Sequence, residues 1–147
     1  MSQEKKSSLG CYQGYSEPIY DGWKRYHRYV PVRDGTRLSV IYYIPTQEGK
    51  EAAEALPAVM HYSPYNHLNR KKDAEGRNVD TISDALKVME LIPYGYVYVA
   101  AQCRGTGASF GTRITVNSRQ EARDGADLVE WLAAQPFCNG KVATAGQ

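Results

Sequence analysis

Residues 118–147 read SRQEARDGADLVEWLAAQPFCNGKVATAGQ. Ser118, followed three residues later by Glu121, is a capping box that opens an amphipathic helix, and Pro136 stops it. Asn139-Gly140 then marks a turn, and KVATAG is a short strand of small residues ending in Gly146. A helix that delivers the chain into a short apolar strand is the repeating unit of a parallel α/β sheet.

The same unit recurs upstream. LPAVMHY (56–62) and GYVYVAA (95–101) are buried-strand runs. Between them TISDALKVMELI (81–92) places Ile82, Ala85, Leu86, Met89 and Ile92 at helical spacing, with Thr81 and Asp84 in capping-box register. This predicts a helix. Further upstream, WKRYHRYVPV (23–32) and RLSVIYYIP (37–45) are β-branched and aromatic runs joined at Asp34-Gly35, the signature of a hairpin. The charged run NRKKDAEGR (69–77) reads as a solvated loop. Residues 1–22 lack periodicity and read as an N-terminal extension ahead of a domain spanning 23–147. The class is α/β, a mostly parallel sheet opened by an antiparallel hairpin.

Composition narrows the partners. Apolar residues make up 42% and charged residues 23%, and 18 basic against 16 acidic side chains leave a net charge of +2. That balance argues for neither nucleic acid nor an anionic membrane. No apolar segment is long enough for a signal or a span. Cys11, Cys103 and Cys138 are few, odd in number and far apart, which argues against disulfides or a zinc site and for a reducing cytoplasm. His27, His61 and His67 are too scattered to form a local metal motif. Neither a metal nor a cofactor is expected.

Parallel sheets carry chemistry at the carboxyl ends of their strands. Three such ends occur here: SPYNHLN (63–69), QCRGTGASFG (102–111) and the terminal Gly146-Gln147. The glycines at 105, 107 and 111 miss dinucleotide spacing at Phe110, and no Gly-Lys-Ser/Thr follows for a phosphate loop. Gly107-Ala108-Ser109-Phe110-Gly111 spells G-x-S-x-G, yet Ser109 lies eight residues beyond Ala101, and TRITVNS (112–118) delays the next helix. A nucleophile elbow requires a direct strand-to-helix turn. Ser109 and Arg104 are therefore expected to tie neighbouring backbone together. The elbow context belongs to KVATAG, where Gln147 would be the x and the following residue the serine.

Four stretches in order, VPVRDGTRLSVIYYIP (30–45), HYSPYN (61–66), RGTGASFG (104–111) and the segment from Glu121 to Gln147, resemble the cocaine esterase and X-prolyl dipeptidyl-peptidase-like group of α/β-hydrolases. The resemblance implies the N-terminal part of an α/β-hydrolase fold and a serine hydrolase with a Ser-Asp-His triad. It also implies a small-molecule ester or peptide substrate, and self-association of the full-length protein. On that pattern the chain ends just before the nucleophile, no triad residue falls within it, and the fragment alone is inactive. Tyr65 would donate its hydroxyl to the oxyanion hole, and Asn66 and His67 would line the substrate pocket. Two positions depart from the family: Gln102 stands where Asp is common, and Ala143 where glycine is usual. The rival function is a non-catalytic α/β binding or assembly module.

Overall fold

A computed structural model describes residues 9–11, 17–83 and 86–146. Strand β1 (Gly22–Pro31) and strand β2 (Arg37–Gln47) form the expected hairpin, in register from Gly22↔Thr46 to Pro31↔Arg37. Its turn closes because Gly35 adopts φ 81° and the Asp34 carboxylate accepts the Thr36 N–H at 3.0 Å. Ahead of β1, the Ile19 and Tyr20 N–H groups donate to the Pro93 carbonyl, and Asp21 N–H to that of Thr46. The last residues of the expected extension are thus docked on the domain.

A short strand β3 (Lys50–Glu51) pairs with β2, and β4 (Leu56–Ser63) enters the sheet interior. Two further strands, β5 (Leu68–Lys72) and β6 (Asn78–Ile82), make a separate antiparallel ribbon. Then follow a 3₁₀ segment (Val88–Tyr94), β7 (Val97–Gln102), helix α1 (Arg119–Ala133) and β8 (Cys138–Ala145). The main sheet runs β1-β2-β7-β4-β8. β7, β4 and β8 are mutually parallel, whereas β2 meets β7 antiparallel. This is the mixed sheet expected, a parallel array opened by a hairpin.

Side chains alternate across the sheet with the two-residue period of a strand. Leu38, Val40, Tyr42 and Ile44, with Val97 and Val99, pack against Leu128 and Leu132 of α1. Ile41, Tyr43, Val59, Tyr98 and Ala100 fill the opposite face with Val88 and Ile92. Because both faces are covered, β2 reads as a nearly continuous buried run. Ser118 Oγ accepts the Glu121 N–H at 3.1 Å while the Glu121 carboxylate accepts the Ser118 N–H, so the capping box forms as read. Leu128 and Leu132 are essentially inaccessible to solvent, and each contributes roughly 1.5–3 kcal/mol by burial.

Three local expectations change. The helix expected over 81–92 does not form: Thr81 and Ile82 belong to β6, paired with Asn69 and Leu68. Lys87 takes a left-handed φ of 55°, and only the 3₁₀ turn follows, with Pro93 inside it. Asp84 and Ala85 lie outside the described residues. Ile82, Leu86, Met89 and Ile92 nevertheless reach one cluster, so the apolar spacing was real but served a strand end and a tight turn. The charged run 69–77 forms most of β5 and the turn into β6, exposed along β5 as a solvated segment should be, with the turn held by Arg77 on the carboxylates of Asp73 and Glu75. Asn139-Gly140 sits inside β8 as a register slip, with Gly140 at φ 82°; the partners pass from Leu56↔Cys138 to Ala58↔Val142.

Candidate functional site

Strand register places the site. Ser63 ends β4 opposite Gln102, the last residue of β7, and His61 lies opposite Ala145 on β8. The parallel strands β4 and β7 therefore release two loops on one edge, beside the end of β8, where α/β sheets bind ligands. Tyr65 stands in the first of these loops. Its N–H donates to Ser63 Oγ at 3.1 Å, and the residue is 78% exposed, presenting the ring to the open edge. His61, Tyr65, Asn66, His67, Asn69 and Ser83 line a groove of about 430 Å³.

The neighbours of Tyr65 differ from it. Asn66 Oδ1 accepts from Gln102 Nε2 at 3.2 Å. His67 is buried, with Nε2 3.2 Å from the Ala101 carbonyl and its ring edge-on to His61 at 5.1 Å between centroids. The Ser83 N–H donates to the His67 carbonyl at 2.8 Å, so the β5–β6 ribbon is pinned at its base to this loop. A second cavity of about 500 Å³ shares Asn66 with the groove and adds Gln102, Arg25, His27 and Ser39.

The glycine loop is held as its sequence context suggests. Ser109 Oγ donates to the Gln102 carbonyl at 2.9 Å and accepts the Ser39 N–H at 2.8 Å. Both sides of the hydroxyl are engaged in joining β2 to β7. Arg104 reaches across to the carboxylates of Asp124 and Asp34 and to Thr36 Oγ1. Those contacts hold its guanidinium charged, the Asp124 bond contributing most and outweighing burial. Arg113 pairs with Glu121, extending the same fabric to the start of α1.

On the α1 side of the β4 and β7 ends, Tyr62 and Cys103 share a further cavity with Arg113 and Glu121. Burial pushes the Tyr62 phenol far above its usual range and raises the Cys103 thiol as well. Cys103 is thus a protonated, sequestered thiol at neutral pH and not a nucleophile. Among the described residues no group of three or more His, Cys, Asp or Glu is placed to hold a metal ion. Among them, too, no helix is long and apolar enough to cross a membrane.

Sequence reasoning named Tyr65, Asn66 and His67, and the structure sets all three on one loop, with Tyr65 outward and His67 inward. It did not foresee the Gln102–Asn66 contact, which joins two strand-end loops. The signal was a single polar residue closing an otherwise apolar β7, VYVAAQ.

Known proteins carry the same pieces. A family model described as X-Pro dipeptidyl-peptidase (S15 family) matches residues 34–147. The chain is 36% identical over 135 residues to a provisionally named serine esterase of Mycobacterium bovis, across 88% of this chain and 21% of that protein. It is 29% identical over 117 residues to cocaine esterase of Rhodococcus sp., across 80% of this chain and 18% of that enzyme. The chain spans about a fifth of the length of the curated relatives it matches. A solved α-amino acid ester hydrolase superposes with a TM-score of 0.57 at 23% identity, over 99% of this chain and 24% of that one. The architecture is that of the N-terminal part of an α/β-hydrolase. With the family match running from the hairpin turn through both strand-end loops and α1 into β8, the chain belongs to the X-Pro dipeptidyl-peptidase (S15) family.

Proposed function

We propose that this chain forms the N-terminal part of a serine hydrolase that cleaves acyl esters or X-Pro-type peptide bonds through an acyl-enzyme, with Tyr65 as an oxyanion donor. One observation carries it: an exposed phenol sits at the carboxyl end of β4, on a backbone anchored to Ser63. The nucleophile is the serine following Gln147 in the complete protein, with the triad Asp and His later still. The His61↔Ala145 register sets the end of β8 beside β4 two residues before Ser63, which supports that reading.

In the first half-reaction the serine Oγ attacks the substrate carbonyl carbon while the triad histidine takes its proton. The carbonyl electrons move onto oxygen, and the Tyr65 O–H donates to that developing charge. A preorganised donor of this kind lowers the barrier by about 3 kcal/mol. Collapse re-forms the carbonyl and expels the alcohol or amine, which leaves with the proton held by histidine. Water repeats the sequence on the acyl-serine. Asn66 and His67 shape the pocket beneath the acyl group, Asn66 from the groove wall and His67 from its buried floor. A reducing cytoplasm suits the buried Cys103 and Cys138.

In the full-length protein a fluorophosphonate should label one serine, the residue after Gln147. Tyr65→Phe should lower kcat about a hundredfold with KM little changed. A folded Tyr65→Phe variant with parental kcat refutes the oxyanion role, and labelling elsewhere refutes the placement of the nucleophile.

A further inference from the structure

The exposed Tyr65 ring needs something to hold its loop. Its N–H is tied to Ser63, at the foot of the loop. The next residue, Asn66, is tied across the sheet edge to Gln102, a buried side chain at the end of β7. Both ends of the Gln102 amide are used. Nε2 donates to Asn66 Oδ1 at 3.2 Å, and Oε1 accepts the Ala108 N–H at 2.9 Å. The Gln102 backbone adds a third link, its carbonyl accepting from Ser109 Oγ at 2.9 Å. The Cys103 N–H donates to the Ser63 carbonyl at 3.0 Å, so the two loops leave the sheet already joined.

The glycine loop is shaped around this amide. Gly107 has φ +51°, and a Cβ there would lie 2.0 Å from Gln102 Nε2. Only glycine lets the backbone close over the side chain. A neutral amide suits the position because it donates to one loop and accepts from the other at once. A carboxylate could only accept.

We infer that Gln102 is a positioning residue for Tyr65: it clamps the Tyr65-bearing loop to the glycine loop and thereby fixes where the phenol can meet an oxyanion. This rests on the oxyanion role proposed above. Misplacing a donor by about 1 Å can cost up to about a hundredfold in rate, so an outward-facing tyrosine without such a clamp would be a poor catalyst.

The test is a double-mutant cycle in the full-length hydrolase, read on a p-nitrophenyl ester, with hydrogen exchange of the 65–67 amides alongside. Gln102→Met keeps the shape and removes both side-chain bonds. It should lower kcat about tenfold with KM within about twofold, and speed exchange at 65–67. In a Tyr65→Phe background the same change should have no further effect on kcat. Gln102→Glu keeps the bond from the Ala108 N–H but cannot donate to Asn66 Oδ1, so its kcat should fall between those of Gln102→Met and the parent; a kcat below that of Gln102→Met would overturn the clamp. An equal kcat loss in both backgrounds overturns the inference, since Gln102 would then act other than through Tyr65. Unchanged exchange at 65–67 in Gln102→Met overturns it as well. If Tyr65→Phe alone leaves kcat unaltered, it is the oxyanion role that fails, and the exchange measurement still decides whether Gln102 holds the loop.

Discussion

Arg104 grips the carboxylate of Asp124 with two nitrogens, Nε at 2.7 Å and Nη2 at 2.8 Å, and Asp124 has no accessible surface. The same guanidinium reaches Asp34 in the hairpin turn at 2.9 Å. Gln120 adds a further donor to Asp124 at 2.9 Å. One buried ion pair thus joins the β1–β2 turn, the glycine loop and α1, three parts of the chain that meet beside the site.

Removing one partner of such a pair leaves a buried charge uncompensated, which costs about 3–5 kcal/mol. Arg104→Leu in the full-length protein should lower the urea midpoint accordingly, with its m-value unchanged. The double variant Arg104→Leu/Asp124→Leu should be less destabilised than the single one, because no unpaired charge remains inside. A single variant with the parental midpoint would contradict the buried pairing.

Ser109 is placed as a strut, not as a nucleophile. Its hydroxyl bridges the Ser39 N–H and the Gln102 carbonyl, and no histidine contact to it is seen among the described residues. Ser109→Ala should cost roughly 1–3 kcal/mol, since two partly buried backbone groups lose a partner. Fluorophosphonate labelling of the full-length variant should remain at the parental level. Loss of labelling would move the nucleophile into the glycine loop.

Acid should loosen the fold in a defined window. Asp34 is held below its ordinary value of 3.8 chiefly by the Thr36 N–H, Asp73 by the Arg77 N–H, and Asp127 by the Arg33 guanidinium. Each folded-state pKa is depressed, so the stabilisation is complete above about pH 4 and fades as pH falls through the folded values. Urea midpoints should be flat with respect to these groups from neutrality down to about pH 4 and decline below it. Asp127→Asn should shrink that decline. Stability that rises on acidification would reverse the sign of the argument.

Much of the fold was legible because its determinants are local. Asp34-Gly35 closes a turn within a few residues, Ser118 and Glu121 cap α1 across one helical turn, and the apolar runs of β4 and β7 identify themselves by composition. The order of the strand-end loops could likewise be read, and with it the placing of Tyr65 after β4. The span 81–92 was different. Its apolar residues fit a helical period, but Thr81 and Ile82 found strand partners in Asn69 and Leu68, and pairing with β5 outweighed a weak local preference. Side-chain direction within the site was also beyond local rules. Tyr65 and His67 are two residues apart, yet one faces solvent and the other packs on His61 under the Ala101 carbonyl. The contacts that organise the site span 36 residues from Asn66 to Gln102, 20 from Arg104 to Asp124 and 94 from Arg33 to Asp127. Patterning determined which segments become strands and helix. Which polar side chains meet across those separations was decided only when the sheet closed and the packed core set their distances.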